Sequence, residues 1–289
     1  MKYTAMVGSA AIIGIGETEV NDQTLIGAKA YNLARLMPVL PQSIPACFAV
    51  SSIFLAEIFG DQGQEADSYV NFGNMRHALA TQIAPWLCET KLYAVRSSSV
   101  VEDGRVNSYA GLFDTFLGVA ATDVAERIHN CATSAFCKMR AQGISNRQFS
   151  VMVQEMVPAS TAGVAFSKNP VTRADEIVIN SVFGLSDHMV DGRQSADTFY
   201  VFEGGSKSAL RAKTSMRILE RAGIRRVFLP RALRDVPTLS TADIGKISTT
   251  VKKIAAHLDT PVDVEWAISK ERLYVLQARP ITQALTCST

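Results

Sequence analysis

The run Val262-Asp263-Val264-Glu265-Trp266-Ala267-Ile268, followed by Leu276-Gln277-Ala278-Arg279, holds the residue types best suited to chemistry in this chain. Side chains alternate along a strand, so Val262, Val264, Trp266 and Ile268 share one face while Asp263 and Glu265 share the other. A connecting turn with an odd number of residues, such as Ser269-Lys270-Glu271, places Gln277 and Arg279 on the face of Asp263 and Glu265. It also adds Tyr274, Leu276 and Ala278 to the apolar layer. Two carboxylates and an amide oxygen are hard donors of the kind that hold Mg²⁺, which takes few protein ligands and completes its shell with water and phosphate oxygens. Arg279 adds a planar donor able to grip phosphate. The same four residues would equally make an exposed hairpin side laced by cross-strand ion pairs, and the residue pattern leaves both readings open.

Two other places could meet an anion. Gly27 lets the backbone approach a neighbour closely, and Lys29 follows in the first turn of an expected helix, where a cation opposes the helix dipole. A solvated lysine is the alternative. Arg96 closes a strand-like run and leads into Ser97-Ser98-Ser99, whose hydroxyls and backbone N–H groups could cradle phosphate or form a surface turn.

Elements to position these residues are legible along the chain. The apolar spacing predicts helices over 27–37, 51–59, 74–88, 122–142 (capped by Thr122 or Asp123) and 240–257. Strands are expected over 92–95, 113–119, 148–157 with Pro158 as the stop, 163–167, 176–182 and 198–202, with a closing hairpin of 262–268 and 273–276. The apolar segment 5–16 behind Lys2 reads as a buried first strand rather than a secretory h-region. Strands and helices mix without strict alternation, which indicates an α+β class.

Composition narrows the function classes. The 289 residues are 47% hydrophobic and 19% charged, as in an ordered globular protein. The net charge of +2 arises from 29 basic and 27 acidic residues without a long run of one sign, so nucleic acid is not an expected partner. The one basic concentration, 211–234, reads as a solvated face or an anion-binding edge. Cysteines at 47, 88, 131, 137 and 287 form no C-x-x-C pair, which points to reduced thiols and the cytoplasm. No stretch approaches a membrane span, so no membrane partner is expected.

Several segments together resemble the N-terminal nucleotide-binding domain of the phosphoenolpyruvate synthase and pyruvate phosphate dikinase family, also seen in rifampicin phosphotransferases. Gly27-Ala28-Lys29-Ala30-Tyr31-Asn32-Leu33 is similar to its G-G-K-x-x-N-L opening. Ala94-Val95-Arg96-Ser97-Ser98-Ser99, Glu102-Asp103 and Ser108-Tyr109-Ala110-Gly111 with Asp114-Thr115 resemble A-V-R-S-S, E-D and S-F-A-G with its following threonine. Val153-Gln154-Glu155-Met156-Val157 and Ala162-Gly163-Val164-Ala165-Phe166-Ser167 resemble V-Q-x-M-V and A-G-V-x-F-T. Asp263-Val264-Glu265-Trp266 and Leu276-Gln277-Ala278-Arg279-Pro280 resemble D-I-E-W and L-Q-x-R-P. The matches keep their order from Gly27 to Thr282.

The resemblance implies an ATP-grasp fold of two α+β subdomains, expected over 1–153 and 154–289, with ATP in the cleft between them. It implies that Lys29 and Arg96 contact the phosphates and that the loop containing Ser108, Ala110 and Gly111, with Thr115, closes over them. Gln154, Glu155, Met156 and Val157 become the hinge strand facing adenine. Glu265 and Gln277 bind Mg²⁺, and Arg279 meets the terminal phosphate. Departures fall at Gly184-Leu185-Ser186-Asp187 for G-L-G-E, at Ala196-Asp197 for P-D, and at Cys47 for a glycine. None of His77, His129, His188 or His257 lies in a T-x-H signature, and the chain stops at Thr289 soon after the hairpin. The expectation is therefore a stand-alone phosphotransferase acting on a small-molecule acceptor, a nitrogen nucleophile by analogy with histidine. The alternatives are a subunit that phosphorylates a separate phosphohistidine-domain protein, and a non-catalytic nucleotide-binding module.

Overall fold

The computed structural model describes residues 11–16, 22–59, 69–99, 114–141, 143, 149–187, 189 and 195–281. Residues 5–10 of the expected first strand, Glu102, Asp103, the Ser108, Ala110 and Gly111 loop, and His188 lie outside them. The chain forms two compact units, one within Met1–Met37, Pro45–Met156 and Arg221–Gly223, the other within Pro38–Ile44, Val157–Glu220 and Ile224–Thr289.

The first unit contains β1 (Ile12–Gly14), α1 (Gln23–Leu36), β2 (Cys47–Val50), α2 (Ser52–Phe59), α3 (Tyr69–Ile83), β3 (Leu92–Ser99), β4 (Thr115–Ala120), α4 (Val124–Ala141) and β5 (Phe149–Glu155). Its five strands run antiparallel in the order β1-β2-β5-β3-β4. Alternation gives the sheet two working faces. Phe48, Val50, Tyr93, Val95, Phe149, Val151 and Val153 point into a core completed by Leu55 of α2, Leu79 and Ile83 of α3, and Ile128, Cys131, Ala135 and Met139 of α4. The opposite face, carrying Ala49, Ala94, Arg96, Met152 and Gln154, lies on the side of α1, whose Ile26, Ala30 and Leu33 are fully buried.

The second unit contains β6 (Thr161–Phe166), β7 (Ile177–Phe183), β8 (Asp197–Phe202), β9 (Gly205–Ala209), β10 (Ser215–Glu220), β11 (Gly223–Phe228), α5 (Thr241–Leu258), β12 (Val262–Ser269) and β13 (Arg272–Pro280). Six strands form an antiparallel sheet in the order β13-β12-β6-β7-β8-β9, and β10 with β11 makes a separate pair. Ser240 caps α5, its hydroxyl accepting from the Asp243 N–H at 3.1 Å. The helix buries Ile247, Val251, Ile254 and Leu258 and packs on β12 and β6. The rows Trp266–Gly163–Ser181 and Val264–Ala165–Ile179 run along one sheet face.

The mixed α+β class is as expected, and three local expectations are corrected. The strand expected to stop at Val95 continues to Ser99, because every residue from Tyr93 to Ser99 pairs with β5. The basic stretch holds β10 and β11, and with β9 these are strands that the alternation was too short or too charged to signal. The hairpin turn is the two-residue Lys270-Glu271, both left-handed at φ 48° and 64°, between the paired Ser269 and Arg272. An even turn alone would set Glu265 opposite Leu276. A bulge between Glu265 and Trp266 shifts the register by one, so that Glu265 faces Gln277 and Asp263 faces Arg279. Val275, not Tyr274 or Leu276, therefore joins Trp266 on the apolar layer, and Tyr274 faces Ala267.

Candidate functional site

Lys29 owes its position to Gly27. The helix is broken there, at φ 73° and ψ 168°, and a Cβ at Gly27 would collide with the Ser98 carbonyl oxygen. This close approach is sealed by Ser98, whose hydroxyl donates to the Ile26 carbonyl at 3.0 Å and accepts from the Ala30 N–H at 3.4 Å. Lys29 is buried, with Nζ donating to the Ser97 carbonyl at 2.9 Å, so the solvated alternative does not hold. The three serines are buried as well, and Ser150 Oγ donates to the Ser98 carbonyl at 2.8 Å. The Ser98 and Ser150 hydroxyls thus serve the α1–β3–β5 junction, not an open loop.

Half-buried Arg96 stands in one cross-strand row with Met152 of β5 and exposed Thr115 of β4. Thr115 follows Asp114, whose carboxyl is held below the usual range by a hydrogen bond from Ser134 and by Lys138, at 3.2 Å. Buried Gln154 lies two residues along β5 on the same face, between Cys47 and Ala94. Burial pushes the Cys47 thiol up to about 12. Lys29, Arg96, Thr115 and Gln154 are thus gathered on the α1 side of one sheet.

At the end of β5, two amides of the expected hinge are engaged internally. The Glu155 N–H donates to the Ala46 carbonyl at 2.9 Å and the Met156 N–H to the Leu92 carbonyl at 2.8 Å. Glu155 pairs with Lys91, and Met156 Sδ accepts from the Gly118 N–H at 2.9 Å. The Val157 N–H has no hydrogen-bond acceptor among the described residues.

In the second unit the polar row of β12 and β13 holds Asp263, Glu265, Gln277 and Arg279 on one face. Of the two readings of this face, the ion pair is observed directly. Arg279 Nε donates to Asp263 Oδ2 at 2.8 Å, which is the cross-strand ion pair. One position further in, Gln277 is only 4% exposed and its Oε1 has no hydrogen-bond partner among the described residues. A buried acceptor left unpaired is costly, of order 1–3 kcal/mol. Directly across the ladder stands the Glu265 carboxylate. A carboxylate beside an unengaged amide oxygen is the donor set that Mg²⁺ accepts when phosphate and water supply the rest. The residues present fit the metal.

Two ion pairs of this unit carry no clear mark in the sequence. Asp197 is fully buried and receives Lys213 Nζ at 2.7 and 2.8 Å, together with the Arg211 and Thr238 N–H groups, each at 2.9 Å. This carboxylate closes the base of the segment bearing β10 and β11. Asp187, in the departure from G-L-G-E, pairs with Arg217 Nε at 3.0 Å, and a Cβ at Gly184 would strike the Arg217 carbonyl. The available signal is weak, since Lys213 and Arg217 sit within a basic stretch that reads as one face.

Comparison with known proteins identifies the family of the chain. Residues 73–286 match the family model described as pyruvate phosphate dikinase, AMP/ATP-binding domain. The prodigiosin synthesizing transferase PigC of Serratia marcescens is 30% identical over 90% of this chain and 32% of its own length. A protein of Methanothermobacter thermautotrophicus described as "probable phosphoenolpyruvate synthase" is 35% identical over 65% of the chain and 29% of its own. The rifampicin phosphotransferase of Bacillus subtilis is 26% identical over 95% and 36%. The chain spans about a third of the length of these relatives.

Proposed function

The chain belongs to the family of the pyruvate phosphate dikinase AMP/ATP-binding domain, and from that premise we propose that it is an ATP-grasp enzyme passing a phosphoryl or pyrophosphoryl group from Mg·ATP to a small-molecule acceptor. The observation that carries the reading is the buried Gln277 Oε1, without a hydrogen-bond partner among the described residues and opposite Glu265. Phosphoryl transfer asks a protein mainly for positioning and for neutralisation of charge on the terminal phosphate. Glu265 and Gln277 would hold the Mg²⁺, which when bound neutralises phosphate charge. Lys29 and Arg96 face the phosphates, Thr115 with Ser108, Ala110 and Gly111 covers them, and Arg279 bears on the terminal group. The stretch Gln154-Glu155-Met156-Val157 lies along adenine, with the Val157 N–H as its donor. The terminal P–O bond breaks toward ADP, or the next one toward AMP, as the new bond forms to the acceptor nucleophile, whose proton passes to solvent.

The acceptor class follows the relative named rifampicin phosphotransferase in being a small molecule. The family's histidine chemistry suggests a nitrogen nucleophile. Among the described residues no helix is long and apolar enough to cross a membrane, and a cytoplasmic setting suits Cys47, Cys88, Cys131 and Cys137, which form no disulfide among the described residues. Phosphorus NMR of the protein with ATP, Mg²⁺ and fractionated small-molecule extract tests the reading. ADP or AMP should form only with an acceptor present. Unchanged nucleotide with every fraction, despite bound Mg·ATP, would refute transfer.

A further inference from the structure

A cavity of about 390 Å³ opens at the end of the β6, β12 and β13 strands, lined by Lys168, Asn169, Arg173, Thr260, Pro261 and Ile281 among others. That volume suits a small molecule. Among the described residues its lining holds two cations and no carboxylate. Neither Lys168 Nζ nor the Arg173 guanidinium makes an ion pair or hydrogen bond to a described residue. An adjoining cavity of about 730 Å³ shares Lys168, Thr260 and Pro261 but carries Asp175, Glu176, Glu203 and Asp259 against one further cation, Lys252. The sign of charge therefore changes along the groove, and an anion is directed to the Lys168–Arg173 end.

The loop bearing the two cations is built firmly. Asn169 is buried; its Oδ1 accepts from the Val171 and Thr172 N–H groups at 2.9 and 3.0 Å, and its Nδ2 donates to Glu176 at 2.8 Å. The Arg173 N–H returns to the Asn169 carbonyl at 3.0 Å. Arg173 sits at φ 63°, a conformation that non-glycine residues avoid unless something holds them there. Asparagine or glycine would occupy it more readily than arginine. Arginine at this position supplies a fork matched to carboxylate or phosphate oxygens.

The cavity also stands close to the polar row of the hairpin. Ile281 lies two residues beyond Arg279 and Pro261 two before Asp263, held opposite one another by the Ile281 N–H donating to the Pro261 carbonyl at 2.8 Å. At the rise of a strand, this wall is roughly 7 Å from the Arg279–Asp263 pair and roughly 13 Å from Glu265 and Gln277. The prolines and Ile281 offer an apolar wall beside the cations. We propose that this cavity seats the oxyanion group, carboxylate or phosphate ester, of a small acceptor with an apolar body; calling the occupant the acceptor rests on the phosphotransferase reading above.

The test titrates the full chain, saturated with Mg²⁺ and a non-hydrolysable ATP analogue, with benzoate, phenyl phosphate and neutral benzyl alcohol. At least one anionic probe should bind, the tighter one identifying the oxyanion, while benzyl alcohol should not. Lys168→Ala and Arg173→Asn should each weaken that binding tenfold or more and leave the analogue's affinity within about twofold. Arg173→Asn should melt no lower than the wild type, since asparagine tolerates the left-handed backbone. The proposal is overturned by wild-type protein that binds neither anion, by equal binding of benzyl alcohol, by undiminished anion affinity in both variants, or by a lower melting point for Arg173→Asn. Failure of the analogue to bind while the anions still do would instead overturn the nucleotide reading.

Discussion

Gln277 illustrates how a single atom separates two uses of one surface. Its neighbours Asp263 and Arg279 satisfy each other, whereas its own buried Oε1 is unengaged. The cysteines show the same dependence on local surroundings. Cys47 is half-buried, with its thiol pushed up to about 12 by desolvation, so at pH 8 the reactive thiolate is scarce. Cys88 is exposed, and its thiol is shifted down by the Thr90 hydroxyl and by the backbone there. Brief iodoacetamide treatment of native protein at pH 8 should therefore modify Cys88 and spare Cys47, as read by peptide mass spectrometry. Early labelling of Cys47 would mean that the β2–β5 pairing opens in solution. Strand alternation suffices to put Asp263 and Glu265 on one side, and Gln277 with Arg279. The bulge that brings the two pairs together, and the missing partner of Oε1, arise from long-range packing that alternation does not encode.

At the scale of elements, the union of α1 with β3 fixes the position of Lys29. Gly27 breaks the helix so that the Ser98 carbonyl can approach, and Lys29 enters the junction two residues later. Gly27→Ala combines a strained φ with a collision against backbone, and should cost on the order of 3 kcal/mol in urea unfolding. ATP affinity should fall with it. An unchanged unfolding midpoint would show that α1 and β3 can separate at this point without loss. The close approach at Gly27 is legible in the sequence, because a glycine at a helix start sacrifices helical stability unless another backbone must come near it. The serines read as loop because their type favours turns. Inside the sheet, the hydroxyls of Ser98 and Ser150 bond instead to the Ile26 and Ser98 carbonyls.

Across the whole molecule, each unit gathers, on one face of its own sheet or packed against it, a share of the groups proposed above to serve phosphoryl transfer. The first carries Lys29, Arg96, Thr115 and Gln154; the second carries Glu265, Gln277 and Arg279. The α+β class and the family are readable because short motifs recur in order along most of the chain. The buried Asp197–Lys213 pair is not, since its partners are 16 residues apart and nothing in either residue's surroundings marks the contact. The central claim, that Gln277 and Glu265 form a metal site, is met most directly by calorimetric titration of ATP into wild-type protein and Gln277→Leu, each with Mg²⁺ and with chelator. In the wild type, Mg²⁺ should strengthen ATP binding tenfold or more. Gln277→Leu should lose most of that gain while unfolding no earlier, because it removes a buried acceptor without a partner. The same Mg²⁺ dependence in both proteins would contradict the account.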